Sequence, residues 1–439
     1  MAGGLMQLVA YGAQDVYLTG NPKVTFFQAV YKRHTNFAME NIEQTVNGTA
    51  GNSGRVSVTI ARNGDLIADM YVEMKTVAAI SATTTDATKD ACWVAERAIK
   101  DIELSIGGQR IDKHYQRWWR LYSELYLDAA KKQTYGKMTS ARGGLGVAGA
   151  ESQVFLPLIF FFNRNPGLAL PLIALQYHEV RLDFDLSSEF EIYNDKSTFK
   201  VWGNYMYLDT EERRRFAQKG HEYLIEQVQH TGSDTVTSNG QKQVRLSYNH
   251  PVKELVWCVN SGSSTRSNLW NFTSNTHTSA VVLATELPLA TSNCAVAVSE
   301  VGMPAYFIDA AAGSTSHWVE DGAVAATRSV GPVNTFKLVL NGQDRFKEQS
   351  GKYFNQVQPF NHHSGSPYPG IYSYSFALKP EEHQPTGTCN FSRIDNAQVA
   401  ITLKNLTGTS LASPSLDMFA VNYNVLRIQS GMGGLAFSN

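Results

Sequence analysis

A chain of 439 residues has room for two all-β domains of ~200 residues each. Its 38 Lys and Arg nearly balance its 39 Asp and Glu, and charged residues make up 18% of the chain, below the roughly 25% of an ordinary soluble domain. This composition argues against the basic face that nucleic-acid binding needs, and it suits a protein whose surface is largely covered by neighbouring molecules.

The first residues lack the basic region and long apolar run of a signal peptide, and no glycine follows Met1 as myristoylation would require. The cysteines are Cys92, Cys258, Cys294 and Cys389. They form no CxxC pair and are too sparse for a disulfide scaffold or a four-ligand zinc site. Free thiols in a reducing compartment are therefore expected.

Short segments that alternate apolar and polar residues recur along the chain, with the period of half-buried strands. They are RVSVTI (55–60), DIELSIGG (101–108), EVRLDFDL (179–186), KVWGNYMYLD (200–209), QVRLSYNH (243–250), TFKLVLNG (335–342) and GIYSYSFAL (370–378). Helical patterns are scarce, and the main ones cover 113–130 and 209–218, the second with Asp209 or Thr210 as its N-cap. Many short strands with few helices predict a sandwich or barrel.

One segment, VFLPLIFFFNRNPGLALPLIAL (154–175), is apolar for much of a bilayer's thickness. It nevertheless contains three prolines and an arginine, and NRNPG is a strong turn signal. We therefore expect two buried strands around a turn rather than a membrane span.

The chain contains an internal echo at half its length. IELSIGGQRI (102–111) resembles FKLVLNGQDRF (336–346) at one offset of 234, and FLPLIFFFN (155–163) more faintly resembles IYSYSFALKP (371–380). The order of the two echoes indicates a duplicated domain, joined near the charged segment 209–220. Ser/Thr/Ala/Gly-rich stretches at 77–92, 136–151 and 259–331 are too polar for a core and are predicted to be long surface loops.

No motif predicts catalytic, cofactor-binding or metal-binding residues. GLGVAG (144–149) has the spelling of a dinucleotide loop but lacks the strand before it and the helix after it, and Gly351-Lys352 lacks the rest of a phosphate loop. The neighbours His362 and His363 would point to opposite faces of a strand, so surface or satisfied core positions are expected for them.

Several long motifs resemble the major capsid proteins of nucleocytoplasmic large DNA viruses, most closely those of the algal chlorovirus branch. They are LVAYGAQDVYLTGNPKVTFFQAVYKRHTNFAME (8–40), NGDLIADMYVE (63–73), IGGQRIDKHY (106–115), PLIFFFNRNPGLALPLIALQYHEVRL (157–182), LNGQDRF (340–346), GIYSYSFALKPEEHQPTGTCNFSRIDNA (370–397) and YNVLRIQSGMGGLAF (423–437). The resemblance spans nearly the whole chain.

The resemblance implies an all-β fold of two tandem eight-stranded jelly rolls with short helices and long surface loops. We place an N-terminal arm at 1–25, the first jelly roll at 26–212 and the second at 213–439. It also implies a non-enzymatic shell protein whose homotrimers form pseudo-hexagonal capsomers of an icosahedral virion assembled in the host cytoplasm. Expected partners are neighbouring capsomers, minor capsid proteins and, through the loops, the host cell surface, with no direct nucleic-acid binding and no cofactor.

Chlorovirus capsid proteins carry glycans at unusual asparagines, often in Asn-Thr-x-Thr. By this resemblance NTHT (275–278) makes Asn275 the first candidate, followed by Asn405 and then Asn271. The Asn-x-Ser/Thr pattern itself, which also occurs at Asn47 and Asn390, indicates no glycosylation without a signal peptide.

Two other interpretations stay open from the sequence. The first is a low-copy capsid variant of the same fold, which sequence cannot separate from the major species. The second is a jelly-roll carbohydrate-binding protein or hydrolase acting on a host cell wall. Such a hydrolase would need paired carboxylates across a groove, and the loop 259–331 holds few acidic residues.

Overall fold

The computed structural model describes residues 31–77, 93–139, 153–236, 240–261, 331–367, 370–404 and 414–438, together with single positions within 6–28 and 269–272. The described strands fall into two sets along the chain, each forming a pair of antiparallel sheets. Every ladder within these sets joins strands of the same half of the chain.

The strands of the first half are β1 Phe37–Gln44, β2 Val46–Asn47, β3 Arg55–Thr59, β4 Leu66–Lys75, β5 Ile99–Ile106, β6 Gln109–Tyr115, β7 Gln153–Pro157, β8 Leu170–Pro171, β9 Val180–Leu186 and β10 Lys200–Leu208. One sheet has the order β1-β10-β4-β7, with β8 beside β4. The other has the order β2-β3-β9-β5-β6. Their facing sides form one hydrophobic core.

The strands of the second half are β11 His221–Thr235, β12 Gln241–Leu246, β13 Pro251–Ser261, β14 Val333–Leu340, β15 Gln343–Asp344, β16 Gln349–Ser350, β17 Ile371–Ser375, β18 Cys389–Asn390, β19 Ala397–Leu403, β20 Pro414–Gln429 and β21 Met432–Leu435. One sheet has the order β11-β20-β13-β17, and the other has the order β12-β19-β14-β15. A second core lies between them.

The helices are short and lie mostly in the connections between strands. They are Val94–Ala98, Gln116–Tyr126, Ala129–Met138, Phe161–Arg164, Phe190–Tyr193, Thr210–Gln218 and Gln358–His362, with 3-10 turns Pro166–Leu168, Lys196–Thr198 and Phe391–Arg393 and a π-helical turn Tyr353–Val357. Within the described part of the chain, no helix is long and apolar enough to cross a membrane.

Both halves have the same topology. When the short additional strands β2, β8, β16, β18 and β21 are set aside, eight strands remain in each half. Numbered in chain order within each half, they form sheets of order 1-8-3-6 and 2-7-4-5. This is the jelly-roll arrangement, so the prediction of two tandem eight-stranded jelly rolls is confirmed.

The stronger sequence echo corresponds to the same hairpin in each jelly roll. β5 and β6 are joined by Gly107 and Gly108, and β14 and β15 by Asn341 and Gly342, all four with positive φ. Two left-handed residues in a two-residue loop make a turn whose twist matches the strands, and Gly or Asn adopts that conformation at little steric cost. The repeated Gly turn is therefore a repeated structural unit.

The apolar segment 154–175 differs in detail from its prediction. Gln153–Pro157 is a strand, but Phe161–Arg164 forms a helical turn and only Leu170–Pro171 pairs as a second strand. The side chain of Asn163 accepts a hydrogen bond from the Phe160 amide at 3.1 Å and donates one to the Ala68 carbonyl at 2.6 Å. These bonds satisfy a helical turn that the apolar pattern does not reveal.

The helix between the jelly rolls begins as predicted. The Asp209 carboxylate accepts a hydrogen bond from the Thr210 amide at 2.9 Å and caps the helix. Arg213 in this helix lies 2.9 Å from Asp65 of the first jelly roll. Of the cysteines, Cys258 and Cys389 are free thiols, whereas Cys92 and Cys294 lie outside the described residues.

Candidate functional site: the joint between the jelly rolls

Long connections of both jelly rolls lie at one end of the molecule, which we call the loop-bearing end. In the first jelly roll Lys75, the end of β4, pairs with Gln153, the start of β7, so segments 76–98 and 116–152 leave from the same place. In the second, Ser261 at the end of β13 pairs with Pro414 at the start of β20. Segment 262–332 therefore starts beside the place where segment 404–413 ends.

The three predicted glycosylation sites, Asn275, Asn405 and Asn271, lie outside the described residues. The described strand ends that flank them, Ser261, Val333, Leu403 and Pro414, lie at the loop-bearing end of the second jelly roll. Among the described residues, no group of three or more His, Cys, Asp or Glu side chains could hold a metal ion.

The contact between the jelly rolls, which we call the joint, has an apolar centre. The outer face of the sheet β11-β20-β13-β17 packs against the helix Gln116–Tyr126 of the first jelly roll. Phe419 of β20 is 1% exposed, and its ring lies 5.6 Å from Trp118 and 6.1 Å from Tyr115. Since β13 and β20 are covered on both faces, successive residues along them are buried instead of alternating between buried and exposed.

The joint aligns the two jelly rolls side by side. Near the loop-bearing end, the Gly365 amide donates to the Leu125 carbonyl at 3.0 Å. At the opposite end, the Gly433 amide lies 3.1 Å from His178 Nδ1, and the Leu435 amide donates to Gln109 at 3.1 Å. The same ends of both jelly rolls therefore stand together.

Buried ion pairs cross the joint. Glu226 of β11 lies 3.0 Å from Arg164 of the first jelly roll and 2.7 Å from Lys253 of β13. Burial raises the pKa of Glu226, but the two cations outweigh it and hold that pKa below its ordinary value. Burial lowers the pKa of Lys253 to about 8 despite the carboxylate beside it. Arg117 forms a further pair across the joint with the buried Asp417.

His363 is a buried charged group at the loop-bearing end of the joint. Its ring lies 3.1 Å from Glu254, 3.3 Å from Glu381 and 5.1 Å from the ring of Tyr126 in the first jelly roll. Burial lowers the pKa of His363, but the two carboxylates raise it to about 9. Of the two positions expected for these histidines, surface or satisfied core, His363 takes the core position. His362 lies at the surface, where it bonds the Leu378 carbonyl.

Sequence reasoning missed the residues of the joint. Glu226 and Lys253 are charges within strands, and the second cation beside Glu226, Arg164, lies far away in the chain. A usable signal existed in β13, where ELVWCVN (254–260) is buried throughout. A strand covered on both faces needs a second layer outside its own sandwich.

Comparisons with known proteins agree with this architecture. A family model described as "Major capsid protein N-terminus" matches residues 25–209, and one described as "Large eukaryotic DNA virus major capsid protein" matches residues 212–434. The major capsid protein of Paramecium bursaria Chlorella virus 1 is 46% identical, and that of Phaeocystis pouchetii virus is 40% identical, each over the full length of both chains.

Solved structures give the same result. A chain of a quasi-atomic model of the Paramecium bursaria Chlorella virus 1 capsid superposes with a TM-score of 0.74 at 39% identity, covering 94% of this chain and all of that one. The Faustovirus major capsid protein shares the fold alone, with a TM-score of 0.65 at 12% identity, 97% of this chain and 96% of that one being covered.

The role of the chain is therefore structural rather than enzymatic, and its place is the capsid of the virion. With both halves matched by capsid models and the whole length shared with curated relatives, the chain belongs to the family of large eukaryotic DNA virus major capsid proteins.

Proposed function

We propose that the chain forms homotrimers that serve as pseudo-hexagonal capsomers of an icosahedral shell. The observation that carries this proposal is that two jelly rolls of the same topology stand side by side with the same ends together. Three such chains around a threefold axis present six similar modules, which suits a hexagonal lattice. The shell is assembled in the host cytoplasm.

The loop-bearing end faces outward in this proposal and contacts the host cell surface. Asn275, and less strongly Asn405 and Asn271, carry glycans there. Intact-mass analysis and peptide mapping of protein from virions test this assignment. An unmodified peptide 271–280 removes Asn275 and Asn271 as sites.

The opposite end faces inward and contacts neighbouring capsomers and minor capsid proteins. The chain enters β1 at this end, and Leu18 and Phe26 before it are 84% and 98% exposed. Large apolar side chains this exposed favour a contact with another molecule. In this proposal residues 1–25 form an N-terminal arm, 26–212 the first jelly roll and 213–439 the second.

The mass of the purified full-length protein tests the trimer. Light scattering after size exclusion is expected to give about three times the chain mass of 48.5 kDa at micromolar concentration. Negative-stain images are expected to show hexagonal outlines. A monomer at that concentration would contradict the proposal.

A further inference from the structure

The two jelly rolls can be compared residue by residue on one sheet face. In the first, Trp202 of β10 pairs with Tyr71 of β4, which pairs with Pro157 of β7. In the second, Phe419 of β20 pairs with Val256 of β13, which pairs with Ser373 of β17. The fainter echo aligns Phe155 with Ile371 and hence Pro157 with Ser373. Trp202 therefore occupies the position of Phe419.

These equivalent positions differ in what covers them. Phe419 is buried beneath Trp118 of the first jelly roll. Trp202 and Tyr71 lie on the outer face of β1-β10-β4-β7 and are only half-buried, with Phe155 packed edge-on against Tyr71 at 5.7 Å. We call Tyr71, Phe155 and Trp202 the aromatic face. This half-buried face therefore has the position of the face that the helix Gln116–Tyr126 covers in the joint.

The helix that covers Phe419 in the joint also has an equivalent in the second jelly roll. At the offset of 234 set by the stronger echo, the helix Gln116–Tyr126 corresponds to 350–360. Residues 351–362 are helical there, through the π-helical turn Tyr353–Val357 and the helix Gln358–His362. Tyr126, which touches His363 in the joint, corresponds to Phe360. Phe360 is 88% exposed and Val357 is 41% exposed. The outward side of this segment is exposed at these two positions, whereas the helix Gln116–Tyr126 packs in the joint.

We infer that the helical segment 351–362 docks on the aromatic face of a second copy of this chain, with Phe360 at the loop-bearing end of the contact. This inference rests on the proposed trimer and names the surfaces that build it. Each copy offers one exposed segment and one half-buried face, so the contact is head-to-tail, and three such contacts close the ring of the proposed trimer. Burial of apolar and aromatic area supplies the driving force.

The contact between copies differs in chemistry from the joint within a chain. The position of Arg117 is taken by Gly351, and that of Asp417 by Lys200, which lies 3.2 Å from Glu43 of its own sheet. The ion pair that crosses the joint therefore has no counterpart between copies.

Photo-cross-linking tests the docking directly. p-Benzoylphenylalanine is placed at position 360 of the full-length protein, and unlabelled and 15N-labelled copies are mixed before irradiation. We expect mixed-isotope cross-linked peptides that join position 360 to β4, β7 or β10 of another copy. Cross-links that map elsewhere would overturn the inference.

A pair of charge substitutions gives an independent readout. Phe360→Glu should weaken association at least tenfold in sedimentation equilibrium, because a carboxylate would be buried in the contact. Tyr177→Glu is the control, since Tyr177 is 75% exposed at the opposite end. Both side chains are exposed in the single chain, so both variants should fold.

The outcomes separate the two proposals. A trimeric parent protein whose Phe360→Glu variant associates as tightly as the parent overturns the docking surface and leaves the trimer standing. A monomeric parent overturns the trimer and the docking with it. A trimeric parent, dissociated by Phe360→Glu and unaffected by Tyr177→Glu, supports both.

Discussion

Burial should determine how much an ion pair contributes to the stability of this protein, and two lysines allow a matched test. Lys253 lies 2.7 Å from Glu226, and the two side chains are 1% and 6% exposed. Lys379 lies 2.8 Å from Glu382, and these side chains are 65% and 52% exposed. The distances agree, so Lys253→Met and Lys379→Met differ mainly in solvent access.

Lys253→Met leaves the Glu226 carboxylate buried with Arg164 as its remaining cation and removes the donor to the Pro380 carbonyl. Breaking a buried pair costs about 3–5 kcal/mol of unfolding free energy. Because Arg164 is retained, we expect a loss at the lower end, about 3 kcal/mol. Lys379→Met should cost much less than Lys253→Met, because water screens the exposed pair.

Differential scanning calorimetry at one scan rate measures the difference. For large domains, each kcal/mol lowers Tm by roughly 2–4 °C, so Lys253→Met should lower it by roughly 6–12 °C. Lys379→Met should lower it far less. Equal decreases in the two variants would refute the argument that the low dielectric of the joint gives the Lys253 contact its strength.

Three further predictions concern the joint and the hairpins. The pKa of His363 rises from 6.5 to about 9 on folding, so its stabilisation of about 3 kcal/mol is complete below pH 6.5 and is lost as pH rises through about 9. The Tm difference between wild type and His363→Gln should therefore shrink from pH 6 to 10. Both proteins are measured at each pH because Lys253 titrates nearby. A constant difference would contradict this role of His363. Phe419→Ala should cost about 3–5 kcal/mol in urea unfolding, whereas a loss below about 1 kcal/mol would mean that the joint adapts. Gly342→Val should cost about 1–3 kcal/mol from its φ of +79° alone, since nothing lies within 4 Å of the added Cβ, and Gly342→Asn should cost less; similar thermal shifts in these two variants would exclude backbone strain as the cause.

Features set by local chemistry were predictable from the sequence. Asp209 caps the helix Thr210–Gln218 because its short carboxylate reaches the first free amide. The turns at Gly108 and Gly342 follow from residues that accept positive φ. In β3, Val56 and Val58 are buried and alternate with less buried neighbours, as the alternating pattern of RVSVT indicates.

Features set by distant contacts were not predictable in the same way. The turn at Phe161–Arg164 depends on the bond between Asn163 and the Ala68 carbonyl, 95 residues away in the chain. Arg164 meets Glu226 only because the jelly rolls pack together. A single charge in an apolar segment carries no sign of its future partner, so the joint emerges only once both sheets are placed.

Duplication of one jelly roll explains how the joint within the chain can contain buried ion pairs that the equivalent contact between copies lacks. The two jelly rolls share topology and register, yet Phe419 is covered within the chain and Trp202 is half-buried on an open face. A joint within one chain forms once, during folding, and partners at fixed positions can satisfy its buried charges. A contact between copies must form from separate molecules, and each buried charge would first have to lose its water. In the proposed docking, Gly351 stands at the position of Arg117, so no cation equivalent to Arg117 has to lose its water where copies meet. The divergence of the two halves therefore follows the difference between folding and assembly.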